Sequence, residues 1–304
     1  MEKLISSTAA YAIFSGDKRF NRLSHAYLLY YADAAELRYA LKQFALVFFG
    51  GAKGGREERL IAEEALPDLK IYPKADGKLN VEAANLIVED AYLRPVEGDK
   101  KLYIISGFEE ASALFQNKLL KILEEPPRGV YFLLGATSLA PVLDTIISRV
   151  KTLEIPPFTA GEIFAALERE GSNPENARVS QTCGGVMGVA RRMLSEGWYA
   201  EVREAACEIL GATDRKKAVA VALKYADCKY KSELFAELQR LYFSELEKYA
   251  KDDGYSGALC KGATVFALES VNKAFADIKF NANFPSLLYD FALKVALENE
   301  KWSR

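Results

Sequence analysis

The side chains able to do chemistry are few and scattered. The only histidine is His25. No serine–base–acid order and no metal-ligand spacing surrounds it, so it reads as a structural histidine leading into a strand. Glu124-Glu125 has the composition of an acid–base pair, but adjacent helix residues point in different directions. The two read as helix-end carboxylates. The four cysteines, Cys183, Cys207, Cys228 and Cys260, include no Cys-x-x-Cys pair. Neither a zinc site nor a disulfide framework is expected from them, and reduced thiols in the cytoplasm are. Ser148-Arg149 offers a permanent cation with five donors. On its own such an arginine is a structural group pairing with an acidic neighbour such as Asp144. Lys118 and Lys121 share a helix face that suits a DNA phosphate, an acidic partner or plain solvent equally well.

Elements must hold these residues in place, and the bulk composition bounds which. The chain has 304 residues, half of them hydrophobic and 27% charged, with a formal net charge of −2. That length implies two or three domains in a soluble globular protein. A chain that grips DNA alone through phosphates is usually basic, so any DNA contact is expected to be shared with partners. No apolar stretch approaches the ~18–20 residues of a membrane span. The opening Met1–Phe14 is broken by Ser6, Ser7 and Thr8 and reads as a helix of the mature protein, not a signal peptide.

The first half alternates short apolar runs with helical patterns. Strands are predicted at Leu28–Tyr31, Leu69–Tyr72, Leu102–Ile105, Val130–Leu134 and Thr152–Ile155. Helices are predicted from about Ala34 to Phe48, from Val81 to Leu93 and around Ala111–Glu125. This alternation indicates a parallel sheet covered on both faces. In the third helix Ala111, Phe115, Leu119, Ile122 and Leu123 fall on one face, with Gln116, Lys118, Lys121 and Glu125 mainly elsewhere. Pro126-Pro127 stops it, because proline lacks the amide hydrogen and disfavours helix at the residue before it. After Ile155-Pro156-Pro157 only helical spacing recurs. The expected division is an α/β domain at 1–156, a small helical domain at 157–212 and a larger helical domain at 213–304. In the last, Pro285 suits a first turn and Leu288, Phe291, Ala292 and Val295 form a stripe.

Three blocks carry a resemblance to a known family: Ser24-His25-Ala26-Tyr27-Leu28-Leu29, the run Asn117–Pro127 ending Leu123-Glu124-Glu125-Pro126-Pro127, and Thr145-Ile146-Ile147-Ser148-Arg149-Val150. Together, in this order, they resemble the delta-prime family of bacterial DNA polymerase III clamp-loader subunits, of the AAA+ superfamily. Weaker similarity covers Lys100–Ile105, Gly184–Ala190 and Asn281–Pro285 with the helix after it. The resemblance implies an AAA+ α/β domain with a parallel sheet, a helical lid and an all-helical oligomerising collar.

Against that family's motor subunits, chemistry is missing. A P-loop needs glycines to wrap phosphates, then Lys and Ser or Thr. Here the first strand is followed by Ala32-Asp33-Ala34-Ala35-Glu36-Leu37-Arg38, with two carboxylates where polyphosphate sits. The magnesium-binding acid expected after Leu102–Ile105 is replaced by Ser106-Gly107-Phe108 before Glu109-Glu110. The four-cysteine zinc module usual in the family gives way to Phe49–Arg56, which reads as a glycine-rich turn. No cofactor, no metal and no ATPase activity of the isolated chain are expected.

The resemblance implies a role for Arg149, with Ser148, as a finger reaching a neighbour's ATP in trans. It implies motor (gamma/tau-type) and delta-type partner subunits, with the sliding clamp and primer-template DNA met through the assembled complex. The rivals are a diverged AAA+ scaffold outside replication and an active motor ATPase. Arg191-Arg192 falls where lids carry a nucleotide-sensing arginine, and without a phosphate cradle it reads as structural or interfacial. The aromatics Phe235, Tyr242, Phe243, Phe266, Phe275, Phe280 and Phe284 read mostly as collar core.

Overall fold

A computed structural model describes the chain except for residues 75–76, 252–254, 256, 280–281 and 303–304. Phe280 and Asn281 therefore lie outside the described residues. The chain forms two compact units, one of Met1–Glu162 with Val186–Gly188, the other of Ile163–Gly185 with Val189–Arg304.

The first unit runs α1 (Glu2–Ser6), α2 (Ala9–Arg19), β1 (Ala26–Tyr31), α3 (Ala34–Phe49), α4 (Arg56–Ala62), β2 (Leu69–Tyr72), α5 (Val81–Ala91) and β3 (Lys101–Ser106). A 3₁₀ turn at Phe108–Glu110 comes next, then α6 (Ala113–Glu124), β4 (Val130–Ala136), α7 (Asp144–Ile147) and β5 (Lys151–Ile155). The helix starts are set by side chains that accept otherwise orphaned amides. Thr8 accepts from Tyr11, Asp33 from Glu36, Asn80 from Ala83 and Ser112 from Phe115. Gly50, at φ 73°, closes α3 in the left-handed conformation that glycine tolerates best.

The five strands are parallel, in the order β2-β3-β4-β1-β5. The central strands are buried on both faces, which is why they read as unbroken apolar runs. One face, through Leu28, Tyr103, Ile105, Phe132 and Leu134, shares a core with Ile87 of α5 and Phe115, Leu119 and Ile122 of α6. The other carries α2 and α3, where Phe14 packs against Tyr27 and Phe44. There Gly135 of β4 lets α3 come close, since a Cβ at that position would lie 2.6 Å from the Leu41 side chain.

The structure departs from the sequence reading in several places, among them the short helix α7, which was not predicted. The opening segment is two helices, α1 and α2, rather than one. Helix α4 comes directly after the glycine-rich stretch that read as a turn alone. Helix α5 stops at Ala91, before the predicted Leu93. Gln116, placed off the apolar face of α6, is buried at 1% exposure.

The second unit holds most of α8 (Ala160–Glu170), then α9 (Asn176–Thr182), most of α10 (Met187–Ser195), α11 (Trp198–Leu210), α12 (Arg215–Lys224), α13 (Lys231–Lys251), α14 (Lys261–Lys279) and α15 (Phe284–Trp302). Phe235, Leu238, Tyr242, Phe284, Leu288 and Ala296 are buried in its core, whereas Phe243 is exposed. Glu237 is fully buried yet satisfied, accepting from Arg240 on both oxygens and from Thr182 and Tyr199. Such pairing is what lets a carboxylate sit inside a helical core. Asp214 caps α12, its side chain accepting from the Lys217 amide.

Candidate functional site

All strands of a parallel sheet start at one edge and finish at the other, and the candidate residues divide between those edges. At the finishing edge, β1 leads into Asp33. Asp33 is 2% exposed and is the N-cap of α3. Its Oδ1 accepts from the Glu36 amide at 3.2 Å. Its Oδ2 accepts from the Gly188 amide at 2.7 Å and from the Tyr31 hydroxyl at 3.4 Å. The amides at a helix N-terminus are the natural seat of an anion, and here the chain's own carboxylate takes that seat. Gly188 belongs to the arrangement, because a Cβ there would lie 2.4 Å from Asp33 Oδ1.

At the same edge, one strand beyond β4, β3 ends at Ser106 and turns through Gly107 at φ 70° into the 3₁₀ turn. The Glu109 carboxylate lies across the end of β4. Its Oε1 accepts from the Thr137 amide at 3.0 Å and from the Thr137 hydroxyl. The other oxygen, Oε2, is buried with no hydrogen-bond partner among the described residues. Asp33 and Glu109 are thus both turned to internal partners.

At the starting edge, three segments meet: His25 before β1, the end of α6 before β4, and Ser148-Arg149 before β5. Proline stops α6 at Glu124, as the double proline requires. His25 Nε2 lies 2.7 Å from the Leu123 carbonyl oxygen. A carbonyl can only accept, so Nε2 is the protonated nitrogen and the ring ties down the last turn of α6. The Arg149 guanidinium reaches that same turn. Its Nε donates to Glu124 Oε1 at 2.5 Å, and its Nη1 to the Thr145 carbonyl at 2.7 Å and to Ser148 Oγ at 3.3 Å. The acidic partner is therefore Glu124, twenty-five residues away, in place of the neighbouring Asp144. Arg149 and Glu124 side chains remain 36% and 45% exposed.

Gln116, which its spacing placed off the apolar face of α6, ties down this edge. Its amide donates to the Ala111 and Pro141 carbonyls, both at 3.1 Å, and its oxygen accepts from the Leu143 amide at 2.9 Å. It brackets the loop that starts α7, so α6 fixes both the helix before Arg149 and the carboxylate beside it. The only signal in the sequence was a polar residue next to the apolar stripe of α6. Lys118 and Lys121 are exposed on the same helix. Arg191, in the helical unit, pairs through its guanidinium with Glu170, Nε donating at 3.0 Å. Arg191 also stabilises the carboxylate, holding Glu170 below its ordinary pKa.

The two edges are far apart. Tyr27 pairs with Lys151 across β1 and β5, so Arg149 stands close to the level of His25. Asp33 lies beyond the far end of β1, and the six residues from His25 to Tyr31 alone span about 20 Å at ~3.3 Å per strand residue. No side chain spans that distance.

A family model described as "DNA polymerase III, delta subunit" matches residues 7–159, a span that contains every residue of both edges except Gly188. DNA polymerase III subunit delta′ of Bacillus subtilis (strain 168) is 34% identical over 167 residues, covering 52% of this chain and 50% of the relative. DNA polymerase III subunit gamma of Buchnera aphidicola (subspecies Baizongia pistaciae) is 32% identical over 93 residues, covering 31% and 25%. The matches thus span half or less of these relatives' length. A solved DNA polymerase III, gamma subunit-related protein from Thermotoga maritima aligns over 94% of this chain and 99% of its own, at 13% identity and a TM-score of 0.46.

Proposed function

This chain belongs to the DNA polymerase III delta-subunit family, and from that premise we propose that it is a non-hydrolysing stator of a clamp loader, one that supplies Arg149 to the ATP site of a neighbouring subunit. The observation that carries this reading is the separation of the two edges. Arg149 stands at the starting edge of the sheet, and the place where a nucleotide would sit in this chain is at the finishing edge, about 20 Å away along β1. A guanidinium so placed can act only on a site presented by another molecule.

The finishing edge of this chain does not fit a nucleoside triphosphate. The seat for phosphate at the start of α3 is filled by Asp33. Polyphosphate beside that carboxylate would meet like charge, with no glycine loop or Lys-Ser/Thr pair to offset it. Ser106 stands where an acid would anchor magnesium, and Glu109 is turned to Thr137. The chain therefore has no catalytic step of its own. In the proposed assembly, the Arg149 guanidinium donates to oxygens of the neighbour's γ-phosphate and stabilises the charge that develops during transfer.

On this reading the helical portion divides into a lid at 157–212 and an oligomerising collar at 213–304. The partners are motor (gamma/tau-type) and delta-type subunits, which together with this chain load a sliding clamp onto primer-template DNA in the cytoplasm. The test is ATP turnover by a reconstituted motor and delta-type complex, with and without this chain, after co-elution on a sizing column. Arg149→Ala is expected to co-elute and to lower turnover. Its effect should fall below the roughly 10³–10⁵ of a sole finger, because other subunits supply their own.

The ion pair with Glu124 favours a second reading, in which Arg149 only braces β5 against α6. Unchanged turnover by the Arg149→Ala complex, together with a lowered unfolding midpoint of the isolated chain, would establish that reading instead.

A further inference from the structure

The guanidinium of Arg149 is engaged on two of its three nitrogens. Nε is held by Glu124, and Nη1 by the Thr145 carbonyl and the Ser148 hydroxyl. Nη2 makes no hydrogen bond with any described residue of the chain. A planar fork held at Nε by a carboxylate and at Nη1 by a backbone carbonyl has little rotational freedom left. Its remaining corner carries two N–H donors.

We propose that Glu124 is the positioning residue of the finger: it fixes the plane of the Arg149 guanidinium so that Nη2 is presented to a phosphate oxygen of the neighbouring subunit. The proposal rests on the reading of Arg149 as a trans-acting group and deepens it. Glu124 is suited to the task because its own place is fixed. It is the last residue of α6, stopped by Pro126-Pro127, and the carbonyl just before it is held by His25. The Thr145 and Ser148 contacts come from α7 and the residue after it, and Gln116 ties the segment leading into α7 to α6. An ion pair this exposed adds little to stability, so its consequence is directional.

A carboxylate beside a cation also has an opposite capacity. If Glu124 had to release Arg149 before phosphate could bind, it would compete with the nucleotide and slow turnover. The unclaimed Nη2 argues for positioning, since two donors are available with the Glu124 contact intact. The two roles predict opposite signs, which makes them separable.

The experiment compares Glu124→Ala, Glu124→Gln, Arg149→Ala and the Glu124→Ala/Arg149→Ala double variant in the reconstituted complex, with kcat and KM for ATP measured separately. Unfolding midpoints of the free chains and co-elution are recorded alongside. Misaiming one hydrogen-bonding group lowers rate rather than affinity. Glu124→Ala is expected to unfold near the wild-type midpoint, to co-elute, and to lose roughly threefold to tenfold in kcat with KM unchanged. Glu124→Gln, which keeps an acceptor oxygen, should fall between it and the wild type. The double variant should be no slower than Arg149→Ala alone, because the carboxylate acts only through the arginine.

An unchanged or raised kcat for Glu124→Ala, with Arg149→Ala still slow, overturns the positioning role and leaves the finger standing. An unchanged kcat for Arg149→Ala removes the finger itself, and the inference with it. A double variant slower than Arg149→Ala would show Glu124 acting by another route and would equally overturn the proposal.

Discussion

Gln116 makes three hydrogen bonds inside the protein: two carbonyls accept from its amide nitrogen, and one amide donates to its oxygen. At 1% exposure these groups have no water to turn to. Replacing it by Leu keeps the bulk but leaves the Leu143 amide and the Pro141 carbonyl without their partner. Gln116→Leu is expected to destabilise the chain by about 1–3 kcal/mol in urea unfolding. A variant with the wild-type midpoint would mean that this loop re-pairs elsewhere. Arg149 presents the same limit of sequence reasoning from the other side. Its chemistry was evident from residue type and motif, but its partner was not. Asp144 is nearer in sequence, yet α7 ends at Ile147 before the chain turns into β5. The carboxylate that arrives comes from a different helix. No local pattern encodes a contact between residues that only the fold brings together.

Elements set the next scale, and α3 illustrates two kinds of packing. Along β4 it lies so close that a Cβ on Gly135 would come within 3.2 Å of both Leu41 and Leu37. Gly135→Ala is expected to cost about 1–3 kcal/mol through overpacking, read as a lower denaturation midpoint. A midpoint at or above wild type would show that the leucines can shift without strain. On its other flank α3 is held electrostatically. Glu64 pairs with Arg38 at 2.7 Å and with Lys42 at 3.0 Å. The Arg38 guanidinium, with Lys42 assisting, holds the Glu64 carboxyl down at about 2 against an ordinary 4.5. A carboxyl with a depressed folded-state pKa stabilises above its unfolded value, and that contribution is lost as pH falls toward the folded one. Glu64→Gln should therefore be less stable than wild type at pH 7, by about 1 kcal/mol once the partial exposure of the pair is allowed for. The gap should close between pH 4.5 and about 2. A gap that persists unchanged at the acid end would place the effect in packing instead.

At the scale of the whole molecule, the parallel sheet was the most legible feature. Its central strands are buried on both faces, so each appears as an apolar run between helical patterns. The double proline marked the end of α6, and the motif blocks led to the family. Helix α4 was hidden by Gly50, Gly51, Gly54 and Gly55 just before it, because glycine signals a turn without specifying the element beyond it. The seat at Asp33 was read as a loss of phosphate chemistry. That the carboxylate is itself capped by the Gly188 amide depends on two residues 155 positions apart. The isolated chain should accordingly show no thermal shift with magnesium-ATP at millimolar concentration. A bound ligand at a hundredfold over its Kd would add about 2.7 kcal/mol of apparent stability. A clear upward shift would contradict the proposed absence of a nucleotide site.

The parallel sheet also gives this chain a direction, and the proposed function makes Arg149 its donor end and Asp33 its receiving end. In the proposed assembly this chain can give an arginine, but its receiving end is sealed from within. Whichever subunit stands at that end finds nothing there to catalyse. A series of such subunits cannot run round as an unbroken circuit: it acquires a seam at a fixed place, and with it a first and a last position.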